Sequence, residues 1–185
     1  MFTMRVFDTH AHYDSGAFSD GRMELLASMP EQGVSLILNP GCDLESSRTA
    51  VALAEQFPFV YAAVGFHPSD CGSFSDKAAE ELRRLAAHPK VKAIGEIGLD
   101  YYWKDNPPKE FQQKVFHAQM ELAEALKLPV IIHDREAHRD CLEVVKAHPN
   151  VTGVYHCYSG SLEDAKTLVK LGWMLSFTGV VTYKN

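Results

Sequence analysis

The sequence predicts an α/β protein of the TIM (β/α)8-type barrel, incomplete here, with about seven parallel strands and six helices. Short apolar runs alternate with amphipathic stretches along the 185-residue chain, as in successive βαβ units. The runs are nearly continuous in Val, Ile and Leu, which is typical of strands covered on both faces. Nearly every run ends in a histidine or a carboxylate. A doubly wound sheet fits the alternation equally well but would spread these groups along one edge, whereas a barrel gathers them at one mouth.

Seven apolar runs are predicted as strands because each is only six to eight residues long, too short for a buried helix. In order they are RVFDTH (5–10), VSLILNP (34–40), VYAAVGF (60–66), VKAIGEIG (91–98), PVIIHD (129–134), VTGVYH (151–156) and WMLSFTG (173–179).

The stretches between the strands carry apolar residues at helical spacing and are predicted as helices. Ser75 and Ser161 stand where a helix N-cap is expected, and several stretches close on a glycine or a proline. The six stretches are 19–33, 43–57, 75–89, 107–127, 135–149 and 161–172.

The composition narrows the range of functions. A net charge of −6 argues against a protein that coats DNA, which usually carries a basic surface. The negative charge does not exclude an enzyme that binds a phosphate group through a bound cation. The four cysteines form no C-x-x-C pair and indicate reduced thiols in a cytoplasmic protein. The amino terminus shows no signal-peptide pattern, and no apolar run approaches the roughly 18 residues of a membrane span.

The strand ends carry the residues with chemistry. His10 and His12 close the first strand, and residues two apart on a strand point to the same face. One His-x-His pair is a weak metal motif by itself. Glu96, His133 and His156 stand at three further strand ends. Together the five side chains predict a metal centre, since neutral imidazole is a good ligand for zinc and similar cations.

The segment GEIGLDYYWKD adds a carboxylate and an aromatic cluster. Glu96 could bridge two metal ions about 3.5–4 Å apart, and Asp100 could orient a metal ligand from behind. The aromatic run Tyr101–Trp103 could stack on a nucleobase or pack on its own barrel.

The remaining polar residues near strand ends have two interpretations each. Arg135, interpreted as the start of a helix, suits a phosphate oxygen or could pair with Glu136 or another acidic residue. His67 either contacts substrate or is a hydrogen-bonded loop histidine. Cys157 alternates away from its neighbouring histidine and is interpreted as a packed thiol. The histidines away from strand ends are interpreted as structural or surface residues: His88, His117, His138 and His148.

The chain resembles the TatD family of metal-dependent deoxyribonucleases, within the amidohydrolase superfamily, from residue 6 to its last residue. The motifs that carry the resemblance are DTHAHYDSGAF, NPGCD, AVGFHPSD, IGEIGLDYYW, FQQKVFHAQMELAEALKLPVIIHDREA, GVYHCYSG and LSFTGVVTYKN. The resemblance implies a single partial TIM-barrel hydrolase domain over residues 1–185. It also implies two divalent metal ions (Zn, Mg or Mn) that activate a water molecule to hydrolyse DNA phosphodiester bonds, often from a 3′ end.

The resemblance also implies roles for individual residues. By the family pattern His10 and His12 bind one ion, Glu96 bridges, and His133 and His156 bind the other. His67 and Arg135 lie near the scissile phosphate. The expected catalytic residues are therefore Glu96, His67 and Arg135, and the expected substrate contacts are His67, Asp100, Tyr102 and Arg135.

The chain departs from the family after the seventh strand. Family members run to about 250 residues, as a full barrel does, and their eighth strand carries an aspartate that binds metal and accepts the proton of the attacking water. No residue here takes that role, so we expect weaker metal occupancy at His10 and His12 and greatly reduced hydrolysis. The exposed edges of the first and last strands also predict a homo-oligomer.

Two other functions stay open. The same metal centre suits another hydrolase of the superfamily, acting on a small ester or amide such as an aminoacyl ester. A non-catalytic metal-binding barrel fragment is the third interpretation. The aromatic loop and Arg135 favour a phosphate substrate, so the expected partner is DNA, at its ends or as single strands.

Overall fold

A computed structural model describes residues 5–184 and shows seven parallel strands in the sheet order β1-β2-β3-β4-β5-β6-β7. Because strands that are adjacent in the chain are also adjacent in the sheet, the sheet curls in one direction. The strands are β1 (Val6–Asp8), β2 (Val34–Pro40), β3 (Val60–Val64), β4 (Val91–Asp100), β5 (Val130–Arg135), β6 (Gly153–Tyr155) and β7 (Met174–Leu175).

The six predicted helices are also present, one between each pair of consecutive strands. Three of them have side-chain N-caps: the Ser75 and Ser161 hydroxyls accept backbone N–H bonds, as the sequence suggests, and Asp43 forms a capping box with Ser46. The helices are α1 (Arg22–Ser28), α2 (Leu44–Gln56), α3 (Asp76–Ala86), α4 (Lys109–Leu126), α5 (His138–Ala147) and α6 (Leu162–Lys170). The architecture is therefore an incomplete (β/α)8 barrel, as predicted.

The hydrophobic core lies mainly between the convex face of the sheet and the helices. Ile37, Ile94 and Ile132 on the strands and Leu82 and Met120 on the helices are fully buried there. Since neighbouring residues on a strand face opposite ways, a smaller cluster occupies the concave face: Leu38, Ala63, Ala93 and Ile131.

The strand lengths differ from prediction in a way that affects the site. β1 ends at Asp8, two residues short, and β7 is only two residues long; each has a neighbour on one side only within residues 5–184. β4 is two residues longer than predicted, β5 is shifted by one residue toward its carboxyl end, and the two strands pair as far as Asp100 and Arg135. Arg135 is therefore a strand residue, and α5 begins three residues later, at His138.

Apolar side chains are exposed at both ends of the sheet. Phe7 lies at the β1 end, while Met174, Phe177 and Val181 lie at or after β7, with Met174 67% exposed. No helix within residues 5–184 combines the length and the apolar character needed to cross a bilayer.

Candidate metal centre

One cavity at the carboxyl ends of the strands contains most of the residues predicted to act together. Its volume is about 710 Å³. The predicted residues that line it are His10, His12, His67, Glu96, His133, Arg135 and His156. These side chains come from five strands or from the residues that follow them, so the convergence expected of a barrel mouth is present.

Glu96 is the centre of this cluster. Its side chain, on β4, is 4% exposed, and Oε2 lies 3.1 Å from His10 Nε2 and 3.4 Å from His12 Nε2. Its other oxygen, Oε1, lies 3.0 Å from His133 Nδ1. Burial alone would raise the pKa of Glu96, but the hydrogen bonds from the three histidines outweigh it and hold the pKa well below its ordinary value. The carboxylate is therefore charged and available to a cation.

His10 and His12 reach Glu96 by a route that the sequence pattern did not predict. Both follow the end of β1 rather than lying on it. The segment is held instead by β2, because Ala11 N–H donates to the Leu38 carbonyl and Tyr13 N–H donates to Asn39 Oδ1, at 3.3 and 2.7 Å.

The four cavity histidines with shifted pKa values divide into two electrostatic pairs. Burial and a neighbouring imidazole lower the pKa of His67 and of His156 to about 4, so both rings are neutral near pH 7. Burial would also lower the pKa of His12 and of His133, but the Glu96 carboxylate outweighs burial and raises both. Neutral rings offer a lone pair to a metal ion without first losing a proton.

The donor atoms form three overlapping groups that could each hold a cation. In each group the ligand atoms lie within 4.8 Å of one another, and every group includes Glu96. The groups are His10, Glu96 and His156; His12, Cys42 and Glu96; and His67, Glu96 and His133. Buried His10 Nδ1 lacks a hydrogen-bond partner within residues 5–184. Nitrogen and carboxylate donors in this number fit divalent metal ions, and the assignment of particular ligands to particular ions stays a prediction.

Cys42 belongs to the second group and was missed by sequence reasoning. It lies two residues past the end of β2, in NPGCD, so its place at a strand end was the available signal. Burial, with the nearby Glu96 carboxylate, raises the pKa of the Cys42 thiol, which is therefore protonated when no cation is bound.

Asp100 lies behind His133 rather than at the surface of the cavity. It is 2% exposed, and its Oδ2 lies 3.1 Å from His133 Nε2. Its Oδ1 accepts the backbone N–H of Tyr102 at 3.0 Å. With Nε2 occupied, His133 presents Nδ1 to Glu96 and to any cation there. This carboxylate–imidazole arrangement orients many metal-binding histidines.

Arg135 forms an exposed cluster with two aromatic rings at the rim of the cavity. Its guanidinium carbon lies 4.1 Å from the centre of the Tyr102 ring and 5.6 Å from that of Trp103. Trp103 is 57% exposed, so its ring is not packed into the barrel. The expected alternative of a pair with Glu136 is replaced by this cation–π contact.

The other histidines lie away from the cavity, as the sequence suggested. His117 Nδ1 and His148 Nε2 are 2.9 Å apart and join α4 to the end of α5. His88 contacts Glu55, and His138 contacts Asp134. Cys157, expected to be packed away, instead lines the cavity, with Sγ 3.0 Å from Thr178 Oγ1.

Comparison with known proteins gives close relatives. Residues 7–185 match the family described as TatD related DNase. The metal-dependent hydrolase YabD of Bacillus subtilis is 38% identical over 182 residues, which cover 97% of this chain and 71% of that protein. The 3′-5′ ssDNA/RNA exonuclease TatD of Cronobacter turicensis is 35% identical over 178 residues, covering 95% of this chain and 67% of that protein. The crystal structure of YjjV, a TatD homologue from Escherichia coli K12, aligns with a TM-score of 0.90 and 36% identity over 98% of this chain and 71% of that one.

Proposed function

This chain belongs to the TatD-related DNase family of metal-dependent hydrolases, and on that premise we propose that it hydrolyses single-stranded DNA from the 3′ end. The observation that carries the proposal is one shared cavity. Arg135 lines the same cavity as Glu96 and its histidines, and it lies against the exposed ring of Tyr102. A centre for cations, a guanidinium for phosphate and aromatic rings for bases are thus adjacent.

Divalent ions bound at this centre would polarise a phosphoryl oxygen and activate water. The chain's own residues have separate tasks. Glu96 supplies the buried negative charge that is common to all three ligand groups. Asp100 holds the ring of His133 in one orientation. Both tasks fix geometry before substrate arrives, which reduces the reorganisation needed during reaction.

We propose that His67 donates a hydrogen bond to the phosphate. Ser69 N–H donates to His67 Nδ1 at 3.2 Å, so the proton of the neutral ring is on Nε2. The ring centre lies 4.3 Å from that of His133, at the edge of the metal centre. A neutral donor here can bind a phosphate oxygen without repelling the cations.

Arg135 and the two aromatic rings are proposed to hold the nucleotide next to the cleaved bond. The guanidinium can form two parallel hydrogen bonds to a phosphate. The rings of Tyr102 and Trp103 are exposed and can stack on any base, which favours unpaired strands over duplex. The four described cysteines are free thiols, which is consistent with the reducing cytoplasm as the place of action.

The first test is an exonuclease assay with single-stranded DNA labelled at either end. We expect Mg²⁺- or Mn²⁺-dependent release of nucleotides from the 3′ end, abolished by a chelator, and little cleavage of blunt duplex. Cleavage of a small carboxylic or aminoacyl ester without any cleavage of DNA would contradict the proposal.

The second test separates binding of the strand from hydrolysis. Tyr102→Ala removes a stacking surface worth roughly 1–3 kcal/mol per base, so KM for a short single strand should rise about 5-fold or more while kcat changes little. Tyr183→Ala removes an exposed ring outside the cavity and should leave KM unchanged. Equal values of KM for wild type and Tyr102→Ala would exclude stacking on this ring.

A further inference from the structure

We propose that Cys42 is a metal ligand of the centre and that its sulfur biases the centre toward zinc-like cations over magnesium. The inference deepens the proposed function, because it concerns the metal centre on which that function rests. It starts from the group formed by His12, Cys42 and Glu96.

The backbone of Cys42 is fixed by the elements that build the site. Cys42 N–H donates to Ser46 Oγ, and its carbonyl accepts the N–H of His67, both at 2.8 Å. The preceding residue, Gly41, accepts the N–H of Glu96 at 2.9 Å. A side chain at Gly41 would collide with Ser47, so the chain passes close to α2. Cys42 is therefore tied to Glu96 and His67 through short backbone links.

The three donor atoms need only small movements to meet one cation. They lie within 4.8 Å of one another, whereas Zn–S and Zn–N bonds of about 2.3 and 2.0 Å place ligands roughly 3.5 Å apart. Rotation of the half-buried Cys42 and His12 side chains can close a gap of about 1 Å. Glu96 is buried and its position is set by β4, so the other two ligands would move toward it.

The chemistry of the sulfur predicts which cations this site binds more tightly. On binding, the Cys42 thiol releases its proton to solvent and the thiolate forms the bond to the cation. Thiolate ligands favour Zn²⁺, Co²⁺ and Cd²⁺, while Mg²⁺ and Mn²⁺ prefer oxygen. With His12 and Glu96, Cys42 completes the three protein ligands that are usual for a catalytic zinc ion with an open position.

Cys157 provides an internal comparison. It lines the same cavity and is also half buried, but its Sγ lies 3.0 Å from Thr178 Oγ1. Within residues 5–184 it belongs to none of the three ligand groups. The two cysteines are both half buried and differ in which side chains surround the sulfur.

Cobalt substitution tests the proposal without measuring activity. The full 185-residue chain is stripped of metal and titrated with Co²⁺, and the near-ultraviolet charge-transfer band of a cobalt–thiolate bond is recorded. We expect the band in the wild type and in Cys157→Ser, and its loss in Cys42→Ser. Competition titrations should show Zn²⁺ affinity falling about 10-fold or more in Cys42→Ser, with Mn²⁺ affinity changed by less than about twofold.

Several results would overturn the proposal. These are cobalt binding without a thiolate band in the wild type, a band that persists in Cys42→Ser, or a band that disappears in Cys157→Ser instead. The 3′-labelled DNA assay keeps this outcome separate from that of the proposed function. Metal-dependent DNA cleavage without the band would overturn Cys42 as a ligand and support the nuclease activity. A band without DNA cleavage would support Cys42 as a ligand and overturn the nuclease activity.

Discussion

At the residue scale, the carboxylate of Glu96 contacts three imidazoles from two segments of the chain, so its replacement disturbs all of them. Glu96→Gln keeps the size of the side chain and removes its charge. We expect loss of most bound metal and a fall in hydrolysis of about 100-fold or more. Metal content by elemental analysis and single-strand DNA hydrolysis measure the two effects.

The matched control for this change is Glu136→Gln. Glu136 also lines the cavity but is exposed and belongs to none of the ligand groups found within residues 5–184. Its variant should keep its metal. Glu96→Gln protein with a full complement of metal would show that Glu96 is not the shared ligand.

Asp100 acts on the metal centre only through His133. In Asp100→Asn the bond to His133 Nε2 loses its charged acceptor, and metal affinity should fall roughly 10–100-fold. Activity should return at high metal concentration, because the ligands themselves remain. Asp140→Asn is the control, since Asp140 bonds Tyr101 and no metal-centre residue. An unchanged metal dissociation constant in Asp100→Asn would show that Asp100 does not position His133 for metal binding.

At the scale of elements, the pairing of β4 with β5 depends on Gly98. Its φ is +138°, a backbone conformation that other residues rarely adopt. An added Cβ would also collide with the carbonyl oxygen of His133. Gly98→Ala should therefore destabilise the protein by about 1–3 kcal/mol or more, as measured by urea unfolding. At Gly16 an added Cβ meets open space, so the free energy of unfolding of Gly16→Ala should lie within about 0.5 kcal/mol of the wild-type value.

The contact between α4 and the end of α5 predicts a pH dependence of stability. Burial, followed by the nearby His117 ring, lowers the pKa of His148 in the folded protein below its ordinary value of about 6.5. The unfolded chain therefore binds more protons in this range. The contribution of His148 to the free energy of unfolding is therefore full above about pH 6.5 and is lost as the pH falls through the lowered pKa.

Urea unfolding at pH 7.5 and pH 5, with a chelator present, measures this effect. The loss of stability on acidification should be smaller in His148→Gln than in wild type. His88→Gln provides the control, because His88 also follows a helix end but is more exposed. An equal loss of stability on acidification in His148→Gln and in wild type would contradict the assignment. Any contribution of His67 and His156 is the same in both proteins, so it cancels in the comparison.

At the scale of the whole molecule, the two exposed sheet edges predict self-association of the 185-residue chain. Strand edges offer unpaired backbone groups, and here they are accompanied by exposed Phe7, Met174 and Phe177. The weight-average mass from sedimentation should rise with concentration, and Met174→Lys should reduce that rise. Ala125→Lys, at an exposed position of α4 away from both sheet edges, is the control substitution. A constant monomer mass over the whole concentration range would contradict the prediction.

The order of elements was predictable because each strand and helix has its own local pattern and three of the six helices have a side-chain N-cap. The ends of the strands were not, since pairing decides them: β4 and β5 extend each other to Asp100 and Arg135, while β1 stops at Asp8. The gathering of histidines around Glu96 followed from their positions at strand ends. Cys42 and the stacking of Arg135 on Tyr102 depend on the shape of loops, which apolar periodicity does not describe.

The stacked rings of His10 and His156 have a consequence for the topology of the chain. Their centres are 3.4 Å apart, although one follows β1 and the other follows β6. A cation held by these two residues and Glu96 would be a cross-link between positions 146 residues apart, since 156 − 10 = 146. Like a disulfide, such a cross-link lowers the entropy of the unfolded chain most when the loop that it closes is long. Metal would then govern how firmly the first and sixth strands stay joined, which amide hydrogen exchange in those strands can follow.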